Sequence, residues 1–345
     1  MIQLSYAPYT LLFHEPFGTA HGLREGTDAV FVRLEREGVL AYGEATLPPY
    51  VNENAASVID GLRGVGLRNA LRDGEHAVQR FLDRPESLRQ PALRTALHTA
   101  FKGLIKSHID NRGSSEIPSP VRARSMITIG HGPLATYGAR LRKQPSGFEI
   151  LKVKLGTPDD IAILGQVMAL DDRPLLLDVN QGWTTVAEAM RVLRTIDTGR
   201  VIGVEQPFAK DRVDLHKALL EHVGPMLVIA DESVQELDDL DRAAGGFNAV
   251  NLKLMKCGGV DRASAMAERA RSLGMRVMLG SMSESTLGCA TMLQLAPIAD
   301  LLDLDGPWLI KNDPFKGMVI VDGHMAAGSV ELRAGFPLDW RPIGA

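Results

Sequence analysis

Five short apolar runs in this chain each end on a charged residue: 150–153 before Lys154, 175–177 before Asp178, 201–204 before Glu205, 226–230 before Asp231 and 250–252 before Lys253. Successive charges lie 24, 27, 26 and 22 residues apart, about the length of one strand-plus-helix unit. A repeated unit that ends each buried strand on a charge describes a closed parallel barrel with a site on its C-terminal rim. Three of the charges are carboxylates and two are lysines, the composition of a divalent-metal site flanked by ammonium groups.

The rest of the chain fits around that barrel. Candidate strands fall at 125–129, 149–155, 174–178, 201–205, 226–231, 248–253, 275–280 and 300–304, with amphipathic helices between them, among them 185–196, 234–244 and 260–273. Eight parallel strands in this span suit a closed barrel better than an open sheet. Residues 1–47 read as antiparallel β: Val30, Val32 and Leu34 alternate with Phe31, Arg33 and Glu35 before a turn at Glu37-Gly38. Residues 15–28 read as a Gly-rich loop, either a solvated connection or a mobile lid. Residues 52–110 are helical, with Leu93, Ala96, Leu97, Ala100, Phe101 and Leu104 on one face. A linker at 110–119 divides a first domain, 1–117, from a barrel, 118–310. Residues 311–345 return to short β signals and rejoin the first domain.

Composition narrows the function. A net charge of −4 gives no basic excess for nucleic acid or an anionic membrane. No apolar stretch approaches the roughly 18 uncharged residues of a membrane helix. The start of the chain has no basic segment followed by an apolar core, so no signal peptide is expected. Two cysteines, Cys257 and Cys289, give no disulfide framework. These features predict a soluble, cytoplasmic protein.

On the rim, any one of Asp178, Glu205 and Asp231 reads equally well as the N-cap of the next helix. Three in consecutive units converge, and crowded carboxylates need a counter-ion. A hard divalent cation such as Mg²⁺ suits an all-oxygen set, and the lack of His or Cys argues against zinc. Lys152 and Lys154 are two apart on a strand and share its inward face. Each can pair with a rim carboxylate, or the two can lower each other's pKa and supply a base. If 149–155 is the second strand and 248–253 the sixth, Lys154 and Lys253 face each other across the ring. Two bases on opposite faces of a metal-bound carboxylate suggest removal of an α-proton on one side and its return on the other.

These stretches resemble the enolase superfamily, in its muconate-lactonising-enzyme-like subgroup. They are Leu151-Lys152-Val153-Lys154, Leu177-Asp178-Val179-Asn180, Val204-Glu205-Gln206-Pro207, Ala230-Asp231-Glu232-Ser233 and Asn251-Leu252-Lys253-Leu254-Met255-Lys256-Cys257-Gly258-Gly259. The resemblance implies an α/β fold: a (β/α)₇β barrel of the TIM type under an α+β capping domain built from both chain ends. It implies Mg²⁺ on Asp178, Glu205 and Asp231, Lys154 and Lys253 as the acid/base pair, and Lys152 tuning Lys154. A homo-oligomer is compatible with it.

Asp303-Leu304-Asp305-Gly306-Pro307-Trp308-Leu309 resembles the dipeptide epimerase signature, in which the two aspartates hold a substrate ammonium group. Two acceptor-only carboxylates on one face match such a donor, although a cap or surface turn reads the same way. Gly280-Ser281-Met282-Ser283-Glu284-Ser285 resembles the pocket-lining segment of the seventh strand, so Met282 and Ser283 are candidate substrate contacts. Thr128 on the first strand and Arg24 in the 15–28 segment are two more, Arg24 for an acidic substrate side chain. His131 and Lys256 are read as surface-facing, and Met255 and Cys257 as packing residues. The expected activity is epimerisation of the C-terminal residue of an L-Ala-Xaa-type dipeptide. The alternatives are an o-succinylbenzoate synthase or cycloisomerase, a Schiff-base lyase, and a non-catalytic binding barrel.

Overall fold

The computed structural model describes residues 1–19, 22–84, 87–109 and 123–344. The expected linker at 110–119 lies outside these residues.

Three long strands open the chain: β1 (Gln3–Thr19), β2 (Gly22–Arg36) and β3 (Val39–Leu47), paired antiparallel in sequence order. Residues 15–19 and 22–28 are therefore strand rather than loop. They continue the β1–β2 pair past a register shift between Leu12 and Phe17. Their glycines allow close approach: a Cβ at Gly26 would lie 2.5 Å from the Leu11 carbonyl oxygen. At the far end Gly18 accepts the His131 N–H at 2.8 Å, so the hairpin docks on the first barrel loop. His131 is consequently half-buried rather than exposed.

Four helices follow: α1 (Ala55–Leu62), α2 (Val65–Asp73), α3 (Glu75–Asp83) and α4 (Pro91–Ile109). Asn54 and Ser57 form a capping box at the start of α1. The apolar face of α4, from Leu93 to Leu104, is buried against the sheet. The approach is closest at Gly43, where any Cβ would overlap the Ala96 carbonyl.

The barrel strands are β4 (Arg124–Ile129), β5 (Ile150–Lys154), β6 (Leu175–Asp178), β7 (Val201–Glu205), β8 (Leu227–Ala230), β9 (Ala249–Lys253), β10 (Arg276–Gly280) and β11 (Leu301–Asp303). They pair parallel and close into one ring, β11 beside β4, giving the (β/α)₇β architecture. Met126, Ile150, Leu176, Ile229, Ala249, Met278 and Leu301 fill the inside of the ring as a separate cluster. That plug leaves only the C-terminal end open to chemistry. The predicted helix at 234–244 is shorter, Asp239–Ala243, because the Asp239 carboxylate takes the N–H groups of Gln235 and Glu236. Among the described residues no helix is long and apolar enough to cross a membrane.

The chain then forms a hairpin of β12 (Phe315–Val321) and β13 (His324–Leu332). It ends on β14 (Arg341–Pro342), paired with β1 at Ser5 and Tyr6, so the last segment completes the capping sheet. Cap and barrel are also bolted together by the buried Arg94 of α4. Its guanidinium holds Asp261 at 2.8 and 2.9 Å and donates to the carbonyls of Gly258 and Leu82.

Candidate active site

Register brings the rim charges together. Lys154 is the cross-strand partner of Asp178, and Asp178 that of Glu205. On the other side Lys253 pairs with Gly280, and Gly280 with Asp303. β5 and β9 stand four places apart in the eight-stranded ring, so Lys154 and Lys253 approach from opposite walls. Both open into one cavity of about 570 Å³ between barrel and cap. Lys152, Thr128, Asp231, Met282, Ser283, Asp303, Asp305 and Arg24 line it too. Asp178 and Glu205 lie beneath its floor, fully buried.

Each lysine is paired with buried carboxylates, and Asp178 is shared by Lys152 and Lys154. Lys152 Nζ is 2.6 Å from Asp303, 2.7 Å from Glu205 and 3.0 Å from Asp178. Burial opposes its charge, but Asp178, Asp303 and Glu205 together outweigh burial and hold the ammonium well above its usual range. Lys154 lies 2.5 Å from Asp178 and donates to Asn180 at 3.2 Å. Lys253 lies 2.7 Å from Asp231, and burial of its ammonium is again outweighed by Asp231 and Glu205. The same attraction, after its own burial is overcome, holds Asp178 below the ordinary carboxylate range through Lys152 and Lys154. Asp231 is held low in the same way by Lys253 and Lys256. Glu205 goes the other way. Burial and then the Asp178 charge push it up, and Lys152 does not compensate fully.

Asp178, Glu205 and Asp231 offer oxygen donors alone, the donor type a hard divalent cation takes. Glu205 Oε2 is buried and receives no hydrogen bond of good angle, although Lys152 Nζ is 2.7 Å away. Among the described residues no three acidic, His or Cys side chains already surround one point in coordinating geometry. The ammonium groups act as their counter-ions here.

Asp303 and Asp305 face the cavity from the end of β11. Asp305 accepts the Thr128 N–H at 2.7 Å, and burial and then Asp303 push its carboxyl upward. Arg24 reaches the cavity from β2, with its guanidinium over the rings of Phe13 and Tyr50 at 5.7 and 5.4 Å. Its Nη1 donates to Thr27 at 3.0 Å, while its Nε is buried with no hydrogen-bond partner among the described residues.

Lys256 is not on the surface. It is buried and donates to Asp231 Oδ1 and O at 2.7 Å each and to Asn251 O at 2.9 Å. A single helical turn, Leu254–Cys257, ends at Gly258 in the left-handed region and swings the side chain inward. Glu232 was also missed. It lines the cavity, Asn180 donates to it at 3.3 Å, and burial and the Asp231 charge raise it. Its position directly after Asp231 was the available signal.

A closed parallel barrel whose C-terminal rim brings lysines from opposite walls and acidic groups into one cavity has the architecture of a barrel enzyme. Residues 137–334 match the enolase C-terminal domain-like family. The chain is 34% identical over 332 residues to the L-Ala-D/L-Glu epimerase of Bacteroides thetaiotaomicron, covering 94% of this chain and 85% of that protein. An Agrobacterium tumefaciens enolase family member with homology to dipeptide epimerases, solved with sodium and L-Ala-L-Glu, superposes with a TM-score of 0.81 at 26% identity, covering 95% of this chain and 98% of the other. The dipeptide epimerase of Methylococcus capsulatus, solved with Mg and L-Arg-D-Lys, gives 0.78 at 25% identity over 98% and 99%. The chain belongs to the enolase superfamily, in the muconate-lactonising-enzyme-like group that contains the dipeptide epimerases, and is an isomerase.

Proposed function

We propose that the protein epimerises the C-terminal residue of an L-Ala-Xaa-type dipeptide by a two-base proton transfer in which one lysine removes the α-proton and a second lysine delivers a proton to the opposite face. The observation that carries this reading is that Lys154 and Lys253, four strands apart in the ring, share one cavity with Asp303 and Asp305. Asp178, Glu205 and Asp231 would hold Mg²⁺, which supplies fixed positive charge next to the substrate carboxylate. Lys154 and Lys253 stand on the two faces of the α-carbon. One, as the free amine, takes the α-proton, an enediolate forms, and the other, as the ammonium, returns a proton to the opposite face. Lys152 keeps a permanent positive charge beneath the site and tunes Lys154. Asp303 and Asp305 accept the substrate's free ammonium group, and Thr128 fixes Asp305 through its amide. Met282 and Ser283 face the substrate side chain. The unpartnered Nε of Arg24, beside Phe13 and Tyr50, favours an acidic side chain. The cap would comprise 1–117 with 311–345, and the barrel 118–310. A cytoplasmic setting agrees with two buried free thiols, Cys257 and Cys289.

The test is α-proton exchange in D₂O with L-Ala-L-Glu and a panel of other dipeptides. Mg²⁺-loaded protein is expected to place deuterium at the C-terminal α-carbon and to invert it. EDTA is expected to stop this and added Mg²⁺ to restore it. Lys154→Gln and Lys253→Gln should each abolish inversion while leaving exchange from opposite epimers. Absence of exchange with every dipeptide would refute the proposal.

A further inference from the structure

Residues 281–285 run from β10 to the helix Thr286–Leu293 and place Ser281, Met282 and Ser283 in the cavity wall. Ser283 has φ of 67°, a conformation that a serine keeps only when its surroundings hold it there. The surroundings come largely from the cap. Glu44 of β3 is 1% exposed and reaches across the interface into the barrel. Its carboxylate accepts the Ser285 N–H at 2.9 Å, the Ser285 hydroxyl at 2.5 Å and the Gly288 N–H at 3.0 Å. Thr46, also on β3, donates to it at 2.7 Å.

These bonds account for the helix start. The first three N–H groups of a helix have no partner inside it. Here Asp313 accepts from Thr286 at 2.8 Å, Ser285 Oγ from Leu287 at 3.2 Å, and Glu44 from Gly288. Glu44 additionally fixes Ser285, the last residue of the wall. Two further contacts clamp the segment: Glu284 folds back to accept the Met282 N–H, and Gly306 packs so closely on Glu284 that a Cβ would lie 2.1 Å from its carbonyl oxygen. Gly306 directly follows Asp305, so the wall touches the segment bearing the two aspartates.

We infer that Glu44 is a positioning residue: from the capping sheet it sets the shape of the 281–285 wall and thereby which substrate side chain the barrel accepts. This rests on the dipeptide reading, in which Met282 and Ser283 face that side chain. Selectivity is then shared between the domains, Arg24 acting from β2 and Glu44 through the barrel's own loop.

The experiment is the ratio of kcat/KM for L-Ala-L-Glu to that for L-Ala-L-Phe, in wild type, Glu44→Gln and Ser285→Ala. A glutamine cannot accept from all the donors that Glu44 serves, and Ser285→Ala removes one of them. Glu44→Gln is expected to shift the ratio about tenfold, and Ser285→Ala to shift it less in the same direction. Loss of active protein alone scales both substrates equally and leaves the ratio unchanged. A ratio within about twofold of wild type in both variants overturns the inference, as does an opposite shift in the two. Should Glu44→Gln fail to fold, Ser285→Ala decides. Failure of the dipeptide reading is distinguishable, because wild type would then exchange neither substrate.

Discussion

Replacing Lys256 by methionine separates the two possible fates of that side chain. On the surface, its loss would change stability by no more than about 0.5 kcal/mol. Buried as it is, all three ammonium protons are used: two on Asp231 and one on Asn251. Methionine keeps most of the stem volume, so no cavity opens, and the loss is polar. Breaking a buried ion pair costs roughly 3–5 kcal/mol when the remaining charge is stranded. Asp231 is not stranded, because Lys253 stays 2.7 Å from its other oxygen. That places the ion-pair part at the low end or below, and two carbonyls losing a donor bring the total to about 3 kcal/mol. Urea unfolding in EDTA, read from the cooperative midpoint at constant slope, measures it. Activity in saturating Mg²⁺ is expected to fall about 100-fold, because Asp231 loses the contact that fixes its orientation. A loss of stability under about 1 kcal/mol with normal turnover would refute the reasoning.

Two other outcomes follow from the geometry. Asp305→Asn should raise KM for an unblocked dipeptide about 10- to 100-fold, the worth of one charge-assisted hydrogen bond. It should spare an N-acetylated analogue, and equal losses for both would remove Asp305 from ammonium recognition. His216 is buried and pushed down to about 4 by burial, against an unfolded value near 6.5. The unfolded chain therefore binds the proton first, and the neutral ring's contribution is present above about pH 6.5 and lost as pH falls toward 4. The stability advantage of wild type over His216→Gln should shrink across that window, by at most about 3 kcal/mol. An advantage independent of pH would show that the ring is not neutral in the folded protein.

The barrel was legible because its strands are buried on both faces and read as unbroken apolar runs, so that a terminal charge stands out. Ring order follows from sequence order, which is why Lys154 and Lys253 could be set four strands apart. What stayed hidden depends on contacts between distant residues. Lys256 looked like a surface lysine, because two of its three acceptors belong to Asp231 in another barrel unit and its direction comes from one turn ending in Gly258. Residues 15–28 looked like a loop because glycine usually marks turns. In the hairpin Gly18 and Gly26 instead allow backbone to pass close to backbone. Glu44 had no local signal for its reach into the barrel, since its partners there lie 241 and 244 residues away.

The pairing of β14 with β1 has a consequence for synthesis. Ser5 and Tyr6 leave the ribosome before the whole barrel does, and their neighbours Pro342 and Arg341 after it. The catalytic ring can close on a nascent chain before the cap is complete. The sheet that carries Arg24 and Glu44 receives its fourth strand only after every strand of the ring has been made, so under the proposal above discrimination between substrates would mature after the barrel itself.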